Sequence, residues 1–356
     1  MPTRGSNMPE NRLAADLEHI LEHTRELWDD LRGERIFITG GTGFFGCWLL
    51  ESFAWANARL GLGASALVLT RNLEAFQKKA PHLAVDPSIL FHGGDIRSFE
   101  FPPGEYHFAI HAAMETNTDL SKPSPLAYLD SAVNGTRRVL DFACSSKVRK
   151  FLFVSAGAIY GPQTATLARL DETYPGAPAP SETRYAYGQG KRAAEFLCSA
   201  YSELWGIEVK IARCFAFSGP YLPLNSGFAI GNFIKDALGG GPIRINGDGT
   251  PYRSYLYAAD LTIWLWTILM RGENGRAYNV GSENELNILK LAQTVRNIAC
   301  PHCEISVARQ PEPGNLPERY VPSTQRARKE LGLDEWIGLV EGIRRMVQWN
   351  LENERD

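Results

Sequence analysis

The stretch RIFITGGTGFFGCWLL, residues 35 to 50, decides the fold prediction. RIFITG (35–40) is a short apolar run typical of a buried strand, and GTGFFGCWLL opens a helix. The glycines between them have the spacing GxxGxxG, which allows a tight turn and close approach of the backbone to a pyrophosphate at the helix N-terminus. This pattern predicts a dinucleotide-binding turn, with a purely structural turn as the alternative; the expected contacts are Gly40, Thr42, Gly43, Phe44, Phe45 and Gly46.

Strand-like and helix-like segments alternate along the chain after this turn. Apolar runs follow at 65–70, 89–95, 108–113, 150–156 and 209–217, and helical patterns separate most of them. This alternation predicts an α/β fold with a Rossmann-type, doubly wound parallel sheet. We expect an N-terminal helical extension (1–33), an NAD(P)-binding domain (34–215, with a later segment near 250–285 returning to it) and a smaller, interleaved substrate-binding lobe (mainly 216–356).

The composition is that of an ordinary globular protein. The chain has 356 residues, of which 44% are apolar and 22% charged, and a net charge of −3, so we expect no nucleic-acid partner. No run of about 20 apolar residues exists, so no membrane span is expected. The polar N-terminus lacks the pattern of a secretion signal, which favours the cytoplasm. Cys300 and Cys303 have no second cysteine pair at zinc-site spacing, so we interpret them as a loop before a strand and expect no metal.

The residues after the second strand bear on the choice of dinucleotide. An acid at this position would bond the ribose 2′-hydroxyl of NAD, whereas an arginine would accept the 2′-phosphate of NADP. Thr70, Arg71 and Asn72 occupy the position without an acid, which favours NADP over NAD. The alternative is that Arg71 stacks on the adenine. Further cofactor contacts are expected after the third and fourth strands, from Asp95, Ile96, His111, Ala112 and Ala113.

Tyr187 and Lys191 are candidates for the reacting groups. They are four residues apart on a predicted helix and therefore share a face. A free tyrosine has a pKa near 10, and a nearby ammonium favours the phenolate. We therefore expect Lys191, together with a positive nicotinamide ring, to lower the pKa of Tyr187, and Lys191 to hold the nicotinamide ribose. Both residues are predicted cofactor contacts as well as catalytic residues.

These motifs together resemble an extended short-chain dehydrogenase/reductase of the nucleotide-sugar epimerase/dehydratase family. The matching segments are TGGTGFFG, HAA, VSAGAIYG, YGQGK, GDGTPYRSYLYAADL and AYNVGS, and the resemblance covers about residues 34–335. It implies a nucleotide-diphosphate sugar as substrate and oxidation at a sugar carbon, usually C4. It also implies Tyr187 as base, transient reduction of the bound nicotinamide, and a homodimer through the helices near 124–146 and 185–205.

The chain departs from this family in VSAGAIYG, residues 154 to 161. The family usually has Ser or Thr at the position of Ala156, and its hydroxyl bonds the sugar oxygen. Ser155 could replace it only if the strand end turns, because neighbours on a strand face opposite sides. Family dehydratases carry an Asp-Glu pair where this chain has Gly157 and Ala158, so their usual 4,6-dehydration is disfavoured.

Other substrate-side positions are partly matched. Ala216 replaces an asparagine that often faces the sugar, and Glu115 and Thr116 are candidate replacements, with Glu115 as a possible acid/base group or a solvated loop acid. Arg253 matches the family arginine that grips the diphosphate, and Arg319, followed by Tyr320, is expected to close over the nucleotide. Surface salt bridges are the alternative for both arginines.

The sequence thus favours an NAD(P)-dependent epimerase that forms a keto-sugar intermediate. An NADPH-dependent keto-sugar reductase and a 4,6-dehydratase-like enzyme are alternatives within the same fold. A non-catalytic nucleotide-binding protein is a further alternative, which Ala156 supports and the Tyr187–Lys191 pair opposes.

Overall fold

The computed structural model describes residues 11–114, 124–164, 166–225, 227–314 and 316–353. Their strands are β1 (Arg35–Thr39), β2 (Ser65–Thr70), β3 (Ile89–Gly93), β4 (Phe108–His111), β5 (Lys150–Ala156), β6 (Glu208–Cys214), β7 (Phe217–Ser218), β8 (Ile243–Ile245), β9 (Tyr252–Ser254), β10 (Leu256–Tyr257), β11 (Ala277–Val280), β12 (Glu285–Asn287), β13 (Ile305–Val307) and β14 (Arg319–Tyr320). The helices are α1 (Ala14–Thr24), α2 (Phe44–Leu60), α3 (Leu73–Lys79), α4 (Pro81–Ala84), α5 (Pro125–Asp130), α6 (Thr136–Ser145), α7 (Ala186–Trp205), α8 (Ala229–Leu238), α9 (Ala258–Arg271), α10 (Ile288–Ala299), α11 (Gln325–Leu331) and α12 (Leu339–Asn353).

A seven-stranded sheet forms the centre of the molecule. Its order is β11-β6-β5-β4-β1-β2-β3, and all of its pairings are parallel. Helices cover both faces, so its strands are apolar on both sides. In β1, Ile36 and Ile38 pack into the layer of α1, α2 and α9, whereas Phe37 packs into the layer of α6 and α7. The predicted Rossmann-type α/β fold is confirmed.

The sheet strands largely follow the predicted runs. β2 and β5 have the predicted bounds, whereas the sixth run divides into β6 and the short β7. The seventh strand, β11, pairs with β6 from Ala277↔Ile211 to Val280↔Cys214 and follows α9. Within the described residues, no helix is long and apolar enough to cross a membrane.

Two predicted helices are interrupted. The segment near 124–146 contains α5, a π-helical turn at Ser131–Gly135, and then α6. The turn is tightly packed: a Cβ on Gly135 would lie 2.6 Å from Ile96 Cδ1, and one on Gly190 of α7 would lie 2.7 Å from Ala132 Cβ. The N-terminal helix ends at Thr24 and continues as a 3₁₀ helix, Arg25–Leu31.

The remaining elements form a smaller assembly beside the carboxyl end of β6. It contains the sheet β12-β9-β14, the strand pair β8–β13, and a core cluster shared by α8, α10 and α12. The expected loop between α10 and β13 is present, and it contains a disulfide between Cys300 and Cys303 that is not among the predictions from the sequence. This assembly positions β9 and β14 next to the site described below.

Candidate active site

The glycine turn between β1 and α2 is a cradle that side chains would fill. Gly40 has φ +73°, and a Cβ there would lie 2.6 Å from the carbonyl carbon of Ala112 and the nitrogen of Ala113. A Cβ on Gly46 would lie 2.3 Å from the carbonyl oxygen of Gly40. Helix α2 begins at Phe44 without a side-chain cap, so its first N–H groups are available to an anion. The turn therefore fits a dinucleotide pyrophosphate.

His111 ties the strands below this cradle together. Its Nδ1 lies 2.6 Å from the Thr39 hydroxyl, and its Nε2 lies 3.0 Å from the Thr136 hydroxyl of α6. Burial lowers the pKa of His111 to about 3, so the ring is neutral at physiological pH. The imidazole thus supports the site from inside the core, whereas the backbone of Ala112 and Ala113 lies directly against the glycine turn.

The residues after β2 have partners within the protein. The side chain of Asn72 accepts the N–H of Ala75 at 2.9 Å and caps α3, while its own N–H donates to the Thr70 hydroxyl at 3.3 Å. The exposed Arg71 lies close enough to Asp95 to help lower the pKa of that carboxyl, although hydrogen bonds from Arg97 are the larger cause. Among residues 70 to 72, Arg71 is the charged one, and it is exposed where an adenosine ribose is expected to bind.

Tyr187 and Lys191 lie on the first turns of α7, as predicted. Lys191 Nζ donates to the carbonyl oxygen of Val154 at 2.7 Å and lies 4.7 Å from the centre of the Phe153 ring. Burial lowers the pKa of Lys191 to about 8. The pKa of Tyr187 is raised, mainly by burial. The described side chains alone therefore do not produce the expected lowering, because desolvation is the largest influence and the charges of Cys214 and Tyr128 also raise the pKa.

Ser155 does not turn toward the tyrosine. Its hydroxyl donates to Glu195 Oε1 of α7 at 2.5 Å, inside the core. Glu195 in turn accepts from Arg213 Nη2 at 2.8 Å, and Arg213 Nη1 donates to the Tyr160 hydroxyl at 2.9 Å. That hydroxyl donates to Asn279 at 2.8 Å. These five residues form a buried polar network behind the site and leave Ala156 without a replacement hydroxyl from Ser155.

The two arginines expected at the substrate diphosphate lie on opposite faces of one small sheet. Strand β14 pairs with β9 in the register Arg319↔Tyr252 and Tyr320↔Arg253. Arg253 lies 5.9 Å from the centre of the Tyr320 ring, on the face toward the site. Arg319 instead lies 4.4 Å from the Tyr252 ring and pairs with Glu285. Because strand neighbours alternate, Arg319 and Tyr320 cannot both face the site without a change in the strand.

The chain also matches a known protein family over most of its length. Residues 36–281 match the description "NAD dependent epimerase/dehydratase family". The chain is 30% identical over 313 residues to UDP-glucuronic acid decarboxylase 1 of Arabidopsis thaliana, covering 88% of this chain and 69% of that protein. This chain belongs to the NAD-dependent epimerase/dehydratase family. Its named relatives are enzymes that act on nucleotide sugars.

Solved structures of this family share the fold. A UDP-glucose 4-epimerase from Thermotoga maritima, solved with UDP-glucose, has a TM-score of 0.74 at 20% identity, covering 90% of this chain and 99% of its own. A dTDP-glucose 4,6-dehydratase from Streptomyces venezuelae, solved with NAD, has a TM-score of 0.75 at 24% identity, with coverages of 90% and 98%. The family is described as NAD dependent, and the glycine turn of this chain fits a dinucleotide pyrophosphate.

The contacts of the other predicted site residues with a cofactor or substrate stay predictions. Glu115 and Thr116 lie outside the described residues. Ala216, partly buried, packs against the core of the smaller assembly, and its carbonyl oxygen accepts the N–H of Leu256 at 3.0 Å. Asp95 is held by Arg97, with Nε and Oδ1 2.7 Å apart, and Ile96 packs over Gly135.

Three residues at or behind the site are not among the predicted site residues: Glu195, Asn279 and Phe215. Glu195 follows Lys191 by four residues and so lies on the same helix face, which is a usable signal. Asn279 lies within the matched AYNVGS segment, and its side chain donates to the carbonyl oxygens of Leu170 at 2.8 Å and Ser323 at 3.1 Å. The ring of Phe215 lies 4.7 Å from that of Tyr320, a contact between distant segments that no local pattern indicates.

Proposed function

We propose that this chain epimerises a nucleotide-activated sugar through a keto-sugar intermediate. The observation that carries the proposal is the placement of Tyr187 and Lys191 beside β5, where Gly157 and Ala158 provide no acid pair. A site of this kind can oxidise and reduce a sugar carbon, but it lacks the groups that dehydratases of the family use to remove water.

The protein's part in the reaction is binding and proton transfer. The Tyr187 oxygen accepts the proton of a sugar hydroxyl, and Lys191 holds the ribose on the same helix face. A nicotinamide bound here would accept a hydride from the sugar carbon and return it. Bringing the Tyr187 pKa about three units below its free value requires roughly 4 kcal/mol of differential stabilisation. Arg253 holds the diphosphate through paired charge-assisted bonds.

A panel of nucleotide sugars tests this proposal. The purified protein is incubated with UDP- and dTDP-linked hexoses and with UDP-glucuronic acid, and the products are followed by mass spectrometry and NMR. The expected result is a new sugar isomer of unchanged mass. Loss of water would instead indicate dehydration, and loss of carbon dioxide would indicate the reaction named for the plant relatives; either result contradicts epimerisation.

A second candidate is a keto-sugar reductase that uses exchanging NADPH. It is supported by Arg71, a guanidinium placed after β2 where the 2′-phosphate of NADP would lie, with no acid beside it at positions 70 or 72. The two candidates differ in cofactor turnover. An epimerase retains its dinucleotide through purification and consumes none. A reductase requires added NADPH and oxidises one equivalent for each keto-sugar reduced, which absorbance at the nicotinamide band measures.

We also propose that the chain forms a homodimer through α5 and α7. Both helices expose large apolar side chains, with exposed fractions of 74% for Leu126, 72% for Phe196 and 69% for Leu204. Exposed apolar surface of this kind is typical of protein interfaces. Light scattering on the wild type and on Phe196→Glu measures the mass: we expect a dimer and a monomer, respectively, and a monomeric wild type would contradict the proposal.

A further inference from the structure

A tyrosine hydroxyl from the far end of the chain occupies the space above Gly157. A Cβ on Gly157 would lie 2.7 Å from the Tyr320 hydroxyl oxygen and 2.7 Å from Phe215 Cζ. Real Cβ atoms are not found this close to other heavy atoms, so Tyr320 and Phe215 fit only because residue 157 has no side chain. Gly157, the residue after Ala156, therefore leaves room for these two rings, in addition to lacking the acid that family dehydratases carry at this position.

Tyr320 is held firmly in this position. Its ring lies 4.7 Å from the Phe215 ring, with an angle of 36° between the planes. The following residue, Val321, donates its N–H to the side chain of Gln163 at 3.0 Å and accepts the N–H of Leu170 at 2.9 Å. Strand β14 is also paired with β9. The tyrosine thus belongs to a fixed strand rather than to a loose loop.

The Tyr320 hydroxyl has no hydrogen-bond partner in the part of the chain that the structure describes, and the same holds for Tyr187. Partly buried hydroxyls usually have a partner, so two such groups in one site indicate a polar ligand. Tyr187 lies close enough to influence Tyr320: burial raises the pKa of Tyr320, and negative charge on Tyr187 raises it further. When Tyr187 accepts a proton and loses it again, Tyr320 therefore stays neutral and can donate.

We propose that the Tyr320 hydroxyl donates a hydrogen bond to the sugar oxygen from which Tyr187 removes the proton. This inference rests on the proposed function. Tyr320 keeps its own proton throughout. The sugar O–H proton passes to Tyr187, the C–H hydride leaves with its electron pair to the nicotinamide, and the oxygen that becomes the carbonyl keeps its bond from Tyr320. Tyr320 thereby supplies, from a different strand, the hydroxyl that Ala156 lacks.

The principal test is Tyr320→Phe in the full-length protein. We expect kcat for the sugar isomerisation to fall by about 10²-fold, the usual cost of losing one donor to a developing oxyanion. Calorimetry measures binding without turnover: affinity for the nucleotide sugar should fall roughly fivefold, and affinity for UDP alone should not change, because the lost bond is to the sugar. The matched control is Tyr174→Phe, a partly buried tyrosine that packs near the Tyr160 ring and outside the reacting groups.

A second pair of variants separates hydrogen bonding from packing. Ala156→Ser in the Tyr320→Phe background returns a hydroxyl beside the sugar, and we expect it to restore part of kcat. Gly157→Ala retains every hydroxyl but displaces that of Tyr320, so its kcat should fall like that of Tyr320→Phe.

If Tyr320→Phe has the kcat and the sugar affinity of the wild type, the inference is overturned while the proposed function stays intact. A wild-type protein that converts no sugar of the panel would instead overturn the proposed function, and unchanged sugar binding by Tyr320→Phe would then also reject the contact.

Discussion

The two halves of the site are built in different ways. On the cofactor side, a single local turn provides the fit: Gly40 and Gly46 lie so close to neighbouring backbone that a methyl group at either would collide. On the substrate side, the residue at the expected hydroxyl position is Ala156, and the hydroxyl of Tyr320, on β14, lies against the next residue, Gly157. The comparison shows that the cofactor half is determined by spacing within one segment, whereas the substrate half depends on which distant segments meet.

The largest expected effect lies at the junction of the two halves. Tyr187→Phe removes the proton acceptor, and we expect kcat to fall by about 10²–10⁴-fold, the usual contribution of a positioned acid or base. Binding of dinucleotide and of UDP should remain near wild type, since the phenyl ring keeps its contact with Tyr128, whose ring centre lies 6.3 Å away. Steady-state kinetics and calorimetry measure both quantities.

The control for this variant is Tyr185→Phe, two residues away at the end of a 3₁₀ helix and before α7. It should leave kcat unchanged. Full activity in Tyr187→Phe would mean that another group accepts the proton and that Tyr187 has been wrongly assigned.

A pair of glycine variants tests whether the cofactor half depends on backbone fit. Gly46→Ala places a methyl group 2.3 Å from the carbonyl oxygen of Gly40, and we expect dinucleotide affinity to fall by about 5- to 150-fold, because overpacking costs about 1–3 kcal/mol. Gly43→Ala, at another expected cofactor contact, is the comparison within the same turn: its nearest contact, the same oxygen, would be 3.3 Å away, so we expect a smaller loss. Fluorescence titration with NAD measures both affinities, and equal losses in the two variants would contradict a fit that depends on residue 46.

His111, which supports the strands below the glycine turn, should make the folded protein less stable in acid. The pKa of His111 is lowered to about 3 in the folded protein, against about 6.5 in an unfolded chain. Between these values the unfolded chain binds a proton that the folded protein does not, so this contribution to stability is lost as the pH falls below about 6.5. From about pH 7 to about pH 5 we expect the wild type to lose roughly 2 kcal/mol more than His111→Gln does. Urea unfolding at both pH values measures the difference, and parallel losses would contradict the assignment.

The sequence predicts the cofactor half better than the substrate half, because the cofactor half lies within one segment and the substrate half joins distant segments. β1, β2 and β5 are recognisable because parallel strands buried on both faces are continuous apolar runs, and the glycine turn follows β1 directly. By contrast, the contact between Gly157 and Tyr320 joins segments that are far apart in the chain, and no spacing rule connects them. The pKa of Tyr187 was expected to be lowered because an adjacent charge is visible in the sequence, whereas the burial that raises it is a property of the folded chain.

The smallest expected effect on turnover concerns Ser155, and it tests whether the substrate half has been divided correctly into structural and reacting groups. Ser155→Ala removes the hydroxyl that donates to Glu195, so we expect the free energy of unfolding to fall by about 1.5–3 kcal/mol, the usual range for a hydrogen bond to a charged group, with kcat unchanged. Ser199→Ala is the control, because that exposed hydroxyl donates only to the backbone oxygen of Glu195, at 3.2 Å, and its loss should cost much less. A large loss of kcat at unchanged stability would mean that the end of β5 turns during the reaction and presents Ser155 to the sugar. Tyr320 and Ser155 would then compete for the role that Ala156 leaves open, and the double variant would decide between them.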